Sequence, residues 1–312
     1  MTRCSALFAL LICACALPAQ TTPPHDTALS ARVKPMVMNV DLVLVPVTVT
    51  DAKDHPVLDL PRDRFELYES EAPQQIQYFS QEDTPISLGV ILDLSKSMSN
   101  KIDIAREAVR QFFLAANPED DYFVITFNNE PHLVADTTQS IGSVEAALAQ
   151  SVPSGRTALL DAIYLGIQKA HRAKYKRRAL LVISDGGDNA SRYSAREIRN
   201  LVQEADVQIY AVGLFDSIFH TTEEWSGKRL LTQVTSATGG RTATLRNVAE
   251  LPQLAERIGK ELRSQYVLGY RPASPARDGA WRKIKVLLKP LSSTASSDLR
   301  VHAKRGYLAP GE

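Results

Sequence analysis

Between Ile86 and Gln265, strand-length apolar runs alternate with helix-length amphipathic ones, and this alternation constrains the fold more than any other feature of the chain. ISLGVILDL and RALLVISD are near-continuous apolar stretches, the pattern of strands whose two faces are both covered by helices. IDIAREAVRQFFLAA repeats apolar residues at helical spacing, DYFVITFN reads as a strand, HLVA as a short edge strand, and SVEAALAQSV and ALLDAIYLGIQKAHRAK as helices. SAREIRNLVQEAD, VQIYAVGL, KRLLTQVTSATG, RTATL and LPQLAERIGKELRSQ continue the series. The prediction is an α/β fold with a doubly wound, mostly parallel sheet. Any ligand then belongs outside the carboxyl ends of the strands, at a topological switch point.

The flanks carry a different period. VDLVLVPVTVTD alternates apolar and other residues in strict succession, and DRFELYESEAPQQIQYFSQED adds two shorter strands about a Glu69-to-Pro73 turn. In the tail, YVLGYRPA, WRKIKVLLK and LRVHAKRGYLA read as three strands. Isolated short strands are marginal on their own, so head and tail are expected to pair into one small β domain with the α/β domain inserted in it. The expected boundaries are 36–84 and 264–312 for the two parts of the β domain, 85–263 for the α/β domain, and 20–35 for a polar, Pro-rich linker.

The first residues, MTRCSALFALLICACALPAQ, place Arg3 ahead of an apolar run from Ala6 to Leu17 that ends in small residues. This is the pattern of a secretory signal peptide, residues 1–19, cleaved near Ala19. All three cysteines, Cys4, Cys13 and Cys15, lie within it, so the exported chain would fold without disulfides. An alternative is lipoprotein processing at Cys15, since Ile12–Cys15 loosely resembles a lipobox. Either route predicts a secreted, periplasmic or cell-envelope protein with no transmembrane span in the mature chain. The net charge of +1 falls to 0 when Arg3 is removed, which argues against nucleic acid or an anionic membrane as the partner.

Two of the apolar strands end in acids, Asp93 and Asp185. Ser95 and Ser97 follow Asp93 at alternate positions, and Thr157 stands just ahead of a predicted helix. Two carboxylates and three hydroxyls converging on one sheet edge make a site for a hard cation, since Mg²⁺ takes oxygen ligands at roughly 2.0–2.1 Å in a near-octahedral shell. No histidine or cysteine is near these positions, which disfavours zinc or copper. Taken alone, Ser97, Ser99 and Asn100 also suit a plain helix cap before Lys101.

The spacing Asp93-x-Ser95-x-Ser97, with a later Thr157 and a later Asp185, resembles the metal-ion-dependent adhesion site of von Willebrand factor type A domains. The resemblance covers about Pro85 to Arg263 and implies a six-stranded sheet with one short antiparallel strand near His132 to Ala135. It also implies Mg²⁺, or Mn²⁺ or Ca²⁺ in its place, at Asp93, Ser95, Ser97, Thr157 and Asp185. One coordination position is left open for an Asp or Glu of a protein ligand. Gly186 and Gly187 would let the backbone turn near the ion, and Asp188 would either orient a ligand or cap the following turn. The motifs VLVPVTVTD, DRFELYE, TALLDAIY, SDGGDNASRYS and ELRSQYVLGYRP resemble exported bacterial proteins related to this family.

The expected function is therefore a non-enzymatic, adhesion-type protein-binding module. The alternatives are a metal-assisted hydrolase and a structural envelope protein whose metal stabilises the fold. Against hydrolysis, the chain has no G-x-S-x-G elbow, no Walker A loop and no G-x-G-x-x-G. The run His171–Arg178 reads as a solvated helix end, Glu119–Asp121 as an acidic turn, and Tyr266, Tyr270, Trp281 and Tyr307 as packing for the β domain.

Overall fold

The alternating run at residues 43–50 forms strand β1 (Val43–Thr50), which buries Val45, Val47 and Val49 on one face. The computed structural model describes residues 42–81, 83–185, 187–214, 222–273, 277–290 and 299–311, all within one compact unit, Val40–Glu312. The expected leader (1–19) and linker (20–35) lie outside the described residues. Strands β2 (Phe65–Glu69), β3 (Ala72–Gln74) and β4 (Ile76–Ser80) follow β1. The β2–β3 turn is only Ser70 and Glu71, both at positive φ, so it is tighter than a Glu69-to-Pro73 turn. Pro73 instead sits in β3, an edge strand, where its missing N–H breaks no ladder bond on the open side.

The α/β portion contains β5 (Ser87–Asp93), α1 (Ile102–Leu114), β6 (Asp121–Phe127), β7 (Pro131–Thr138), α2 (Ile141–Ala149), α3 (Leu159–His171) and β8 (Arg178–Ser184). It continues with α4 (Ala195–Glu204), β9 (Gln208–Gly213), α5 (Thr222–Thr238), β10 (Thr242–Thr244) and α6 (Leu251–Arg263). Its sheet has six strands in the order β10-β9-β8-β5-β6-β7, parallel except where β7 pairs antiparallel with β6. This is the doubly wound, mostly parallel sheet expected from the sequence, although β7 runs eight residues where only HLVA stood out. Residues of α1, α2 and α6 pack on one face and residues of α3, α4 and α5 on the other, so all seven residues of β5 are buried. The chain leaves β5 for β6 on one side, and β8 lies on the other, so the strand order reverses between β5 and β8. Asp93 and Ser184 end these two strands.

Two local readings resolve here. Asp120 accepts hydrogen bonds from the backbone N–H groups of Ile86 (2.7 Å) and Asn117 (2.8 Å), so the acidic turn is a backbone cap. In the basic run, Arg177 is half-buried and held by the fold. Its guanidinium donates to the carbonyls of Thr84 (2.7 Å) and Leu262 (2.8 Å), tying the entry of β5 to the end of α6.

The tail supplies β11 (Tyr266–Tyr270), β12 (Trp281–Leu288), β13 (Arg300–Ala303) and β14 (Gly306–Leu308). Head and tail strands interleave in two four-stranded sheets, β13-β1-β11-β4 and β14-β12-β2-β3, around a shared core that includes Val45, Val47, Phe65, Leu67, Leu268 and Ile284. LRVHAKRGYLA is therefore two strands, because the chain crosses from one sheet to the other between Ala303 and Gly306. Tyr266 and Tyr270 are buried as expected, and the hydroxyls of Tyr270 and Tyr307 both donate to Glu69 Oε2, at 2.6 and 3.0 Å. Trp281 departs from the expectation, being 37% exposed.

A buried polar network joins these sheets to the α/β portion. Gln265 Nε2 donates to Thr48 Oγ1 on β1 and to Gln208 Oε1 on β9, both at 3.0 Å. Tyr210 Oη donates to Glu261 Oε1 on α6 (2.8 Å), whose other oxygen accepts from Arg241 Nη2 (2.6 Å). At its margin His302 Nε2 lies 3.2 Å from Thr50 Oγ1, faced by Glu261, Arg241, Asp54 and Arg300. Burial holds the His302 imidazole below its usual range. A base depressed on folding binds more protons in the unfolded chain, so stability is lost as pH falls from about 6.5 through the folded value. His302→Gln should flatten the unfolding-temperature profile over that window; an unchanged slope would show that other groups set it.

Candidate metal centre

β5 delivers Asp93 to the sheet edge with no exposed surface, and both carboxylate oxygens are engaged there. Oδ1 accepts from the backbone N–H of Ser95 (2.7 Å) and Oδ2 from the Ser184 hydroxyl (2.6 Å). Ser184 is adjacent because the parallel register pairs Leu92 with Ile183, setting the next residues of β5 and β8 side by side. Burial pushes the Asp93 carboxyl up to about 6; hydrogen bonds from Ser184 and Ser95 oppose the shift and the Asp185 charge adds to it.

After Asp93 the chain turns through a 3₁₀ segment, Lys96–Asn100, into α1. Neither Ser95, which opens that segment, nor Lys101, which precedes α1, makes a side-chain capping bond, and Ser99 Oγ donates only to the Lys96 carbonyl (2.7 Å). The plain helix-cap reading therefore does not describe Ser97. Its hydroxyl lies 3.1 Å from Ser95 Oγ and donates to Asp185 Oδ1 at 2.7 Å, across 88 positions of sequence. Met98 is fully buried in the core below and Lys96 faces solvent, so the intervening side chains leave the hydroxyls unobstructed.

Thr157, 5% exposed, arrives on the loop between α2 and α3. That loop is pinned to the Asp93 turn by two backbone bonds, Ser154 N–H to the Leu94 carbonyl (2.7 Å) and Lys96 N–H to the Gly155 carbonyl (3.3 Å). Gly155 sits at φ +78°, and a Cβ there would come within 2.9 Å of the Asn129 amide, so both the conformation and the space favour glycine. On its other side Thr157 is held by Asn189, whose Oδ1 accepts the Thr157 N–H (2.9 Å) and whose N–H returns to the Thr157 carbonyl (3.0 Å). Hydrogen bonds link Asp93, Ser95, Ser97 and Asp185 into one chain; those of Thr157 among the described residues are made by its backbone.

Asp188 Oδ1 accepts from the Ser191 N–H (3.2 Å), which makes it a turn cap, and Gly186 lies outside the described residues. Three neighbours were not singled out from sequence. Ser184 orients Asp93, Asn189 frames Thr157, and Lys101 donates its amine to Asp185 Oδ2 at 2.7 Å. Lys101 alone had a sequence signal, a cation four residues beyond Ser97 at a helix start, where the macrodipole disfavours one.

The donor set suits a hard divalent cation. It offers two carboxylates and three hydroxyls, with Asp93, Ser95, Thr157 and Asp185 buried and Ser97 open to solvent. Among the described residues no group of three or more His, Cys, Asp or Glu side chains could hold a metal, so hydroxyl oxygens would complete any shell here.

Residues 88–187 match the family model described as von Willebrand factor type A domain. The chain carries a von Willebrand factor type A domain. Its fold is similar to that of a von Willebrand factor type A protein from Catenulispora acidiphila, at 11% identity over 86% of this chain and 75% of that one, with a TM-score of 0.51. A mutant PilB minor pilin from Streptococcus sanguinis is similar at 12% identity over 59% of this chain and 63% of the pilin, with a TM-score of 0.50. BatB from Bacteroides thetaiotaomicron aligns over its whole length with 57% of this chain, at 16% identity and a TM-score of 0.46. No curated protein matches the chain. In the type A domain of this chain, the switch point between β5 and β8 is where the five oxygen-bearing residues lie.

Proposed function

We propose that the chain is a non-enzymatic, exported binding module whose type A domain captures a carboxylate of a protein partner through a divalent cation. Asp93, Ser95, Ser97, Thr157 and Asp185 would hold the ion, Mg²⁺ or else Mn²⁺ or Ca²⁺. The bound ion would supply an open coordination position for an Asp or Glu of the partner. The observation that supports this most is the direction of the Ser97 hydroxyl, which turns from the helix start to the Asp185 carboxylate. Three neutral hydroxyls among five ligands leave an ion more residual charge for an incoming anion than a cage of carboxylates would. A hydrolase reading has less support: Ser95 stands where a phosphohydrolase of this sheet type needs an acid/base group. We place the module outside the cytoplasm, secreted or in the cell envelope, on the leader-like first 19 residues, with Cys15 as the alternative anchor. No described helix is long and apolar enough to cross a membrane.

The test is a Mn²⁺ titration of EDTA-treated protein followed by electron paramagnetic resonance, repeated with an acidic peptide and with its Asp→Asn counterpart. The expected result is metal binding, with peptide and metal each tightening the other by the same factor and the amide peptide inert. Peptide binding indifferent to EDTA would sink the metal-bridged reading, and metal binding with no carboxylate preference would favour a fold-stabilising ion.

A further inference from the structure

The strongest feature outside the five ligand positions is Lys101. Its amine lies 2.7 Å from Asp185 Oδ2 and 3.3 Å from the Leu214 carbonyl, just beyond the end of β9. The side chain is 13% exposed and that of Asp185 only 1%. The backbone at Lys101 is equally constrained, since its N–H bonds the Met98 carbonyl and its own carbonyl accepts from Ala105 N–H. A fixed positive charge therefore shares one carboxylate with the proposed ion: Ser97 bonds one oxygen of Asp185 and Lys101 the other.

We infer that Lys101 is a built-in counter-cation of this centre, which lowers its affinity for the divalent ion and raises the affinity of the loaded centre for an anion. The inference rests on the metal-bridged reading above. Asp93, Asp185 and Lys101 together carry one net negative charge when both acids are ionised, so a divalent ion brings the loaded centre to one net positive charge. Without the lysine, the same shell would be neutral when loaded. At short range and away from bulk water a unit charge has a large effect on both equilibria. Its sign is opposite for the two ligands: it repels the incoming cation and attracts the incoming carboxylate.

In the metal-free protein the same amine neutralises Asp185, so the fold does not depend on metal to keep that buried carboxylate paired. The Leu214 contact gives the amine a second acceptor, which holds it in place whether or not an ion competes for Asp185.

A merely positioning lysine would behave differently. If Lys101 only held Asp185 in its ligating orientation, its loss would weaken metal and anion binding together. As a counter-cation its loss should move them in opposite directions. The experiment uses the full chain with Lys101→Met, Lys101→Gln, which keeps a donor without charge, and Lys101→Arg, which keeps the charge. Mn²⁺ affinity is read by paramagnetic resonance, acidic-peptide affinity at saturating Mn²⁺ by calorimetry, and melting temperature in EDTA by circular dichroism. Lys101→Met and Lys101→Gln should bind Mn²⁺ on the order of tenfold more tightly and the peptide more weakly. In EDTA they should melt lower than wild type, with Mn²⁺ restoring them, while Lys101→Arg stays near wild type throughout. Unchanged or weaker Mn²⁺ binding in the Met and Gln variants, beside a wild type that binds, overturns this inference alone. Absence of Mn²⁺ binding in wild type overturns the metal centre and this inference with it.

Discussion

Asp93→Ala is expected to reduce Mg²⁺ and Mn²⁺ affinity by at least about 100-fold in a calorimetric titration. Even outer-shell partners of a metal ligand are worth ~10–100-fold, and Asp93 is proposed as one of only two charged ligands. The substitution also removes the acceptor of two hydrogen bonds, from the Ser184 hydroxyl and the Ser95 N–H, both on buried residues. Each such bond to a charged group is worth ~1.5–3 kcal/mol, partly offset because the buried carboxylate is itself costly to desolvate. Melting in EDTA separates this structural cost from loss of metal. Asp161→Asn is the matched control. Asp161 is also a buried acid near the Asp185 loop, but its Oδ1 accepts from the Arg192 and Tyr193 N–H groups at 2.9 and 3.1 Å, so its variant should titrate like wild type. An Asp93→Ala protein that still binds metal normally would end the assignment of this centre.

What made the site legible in sequence was the combination of two periods. Near-continuous apolar runs marked β5 and β8 as central strands, and acids at their exits had to lie at one sheet edge whatever the loops did. The spacing Asp93-x-Ser95-x-Ser97, taken with Thr157 and Asp185, then carried the resemblance to the adhesion site that a helix cap alone would not. What stayed hidden depends on partners remote in sequence. Lys101 meets Asp185 84 positions away, and Ser184 meets Asp93 only through the strand register. The last two strands merged in sequence because Lys304 and Arg305 continue a strand-like pattern, while the crossover between sheets is a tertiary event. Arg177 looked solvated because a cation at a helix end usually is; the Thr84 and Leu262 carbonyls that bind it come from elsewhere in the chain.

The second large effect is expected far from the metal centre, at Glu261. Glu261→Ala should destabilise the protein by ~3–5 kcal/mol, the range for removing one partner of a buried ion pair. For a unit of this size that corresponds to roughly 6–20 °C in melting temperature. The carboxylate is 1% exposed and receives Tyr210 Oη on one oxygen and Arg241 on the other. Burial, with the Glu261 charge adding to it, pushes the Tyr210 hydroxyl well above its usual range, so it stays the donor. Arg241 is 16% exposed, and its remaining acid, Asp54, lies 3.6 Å away. Its Nε has no hydrogen-bond partner among the described residues, so loss of Glu261 leaves a guanidinium poorly compensated. The double variant Glu261→Ala/Arg241→Met tests that cause. If the stranded charge dominates, removing it should recover part of the loss; if lost packing of α6 against β9 dominates, the double variant will be no more stable than the single one. Metal affinity offers a second reading of the same protein, because α6 ends at this network and packs on the face of β5 that α1 shares. Mn²⁺ binding unchanged in a destabilised Glu261→Ala protein would mean that the junction holds the sheets together without biasing the centre at the other end of β5.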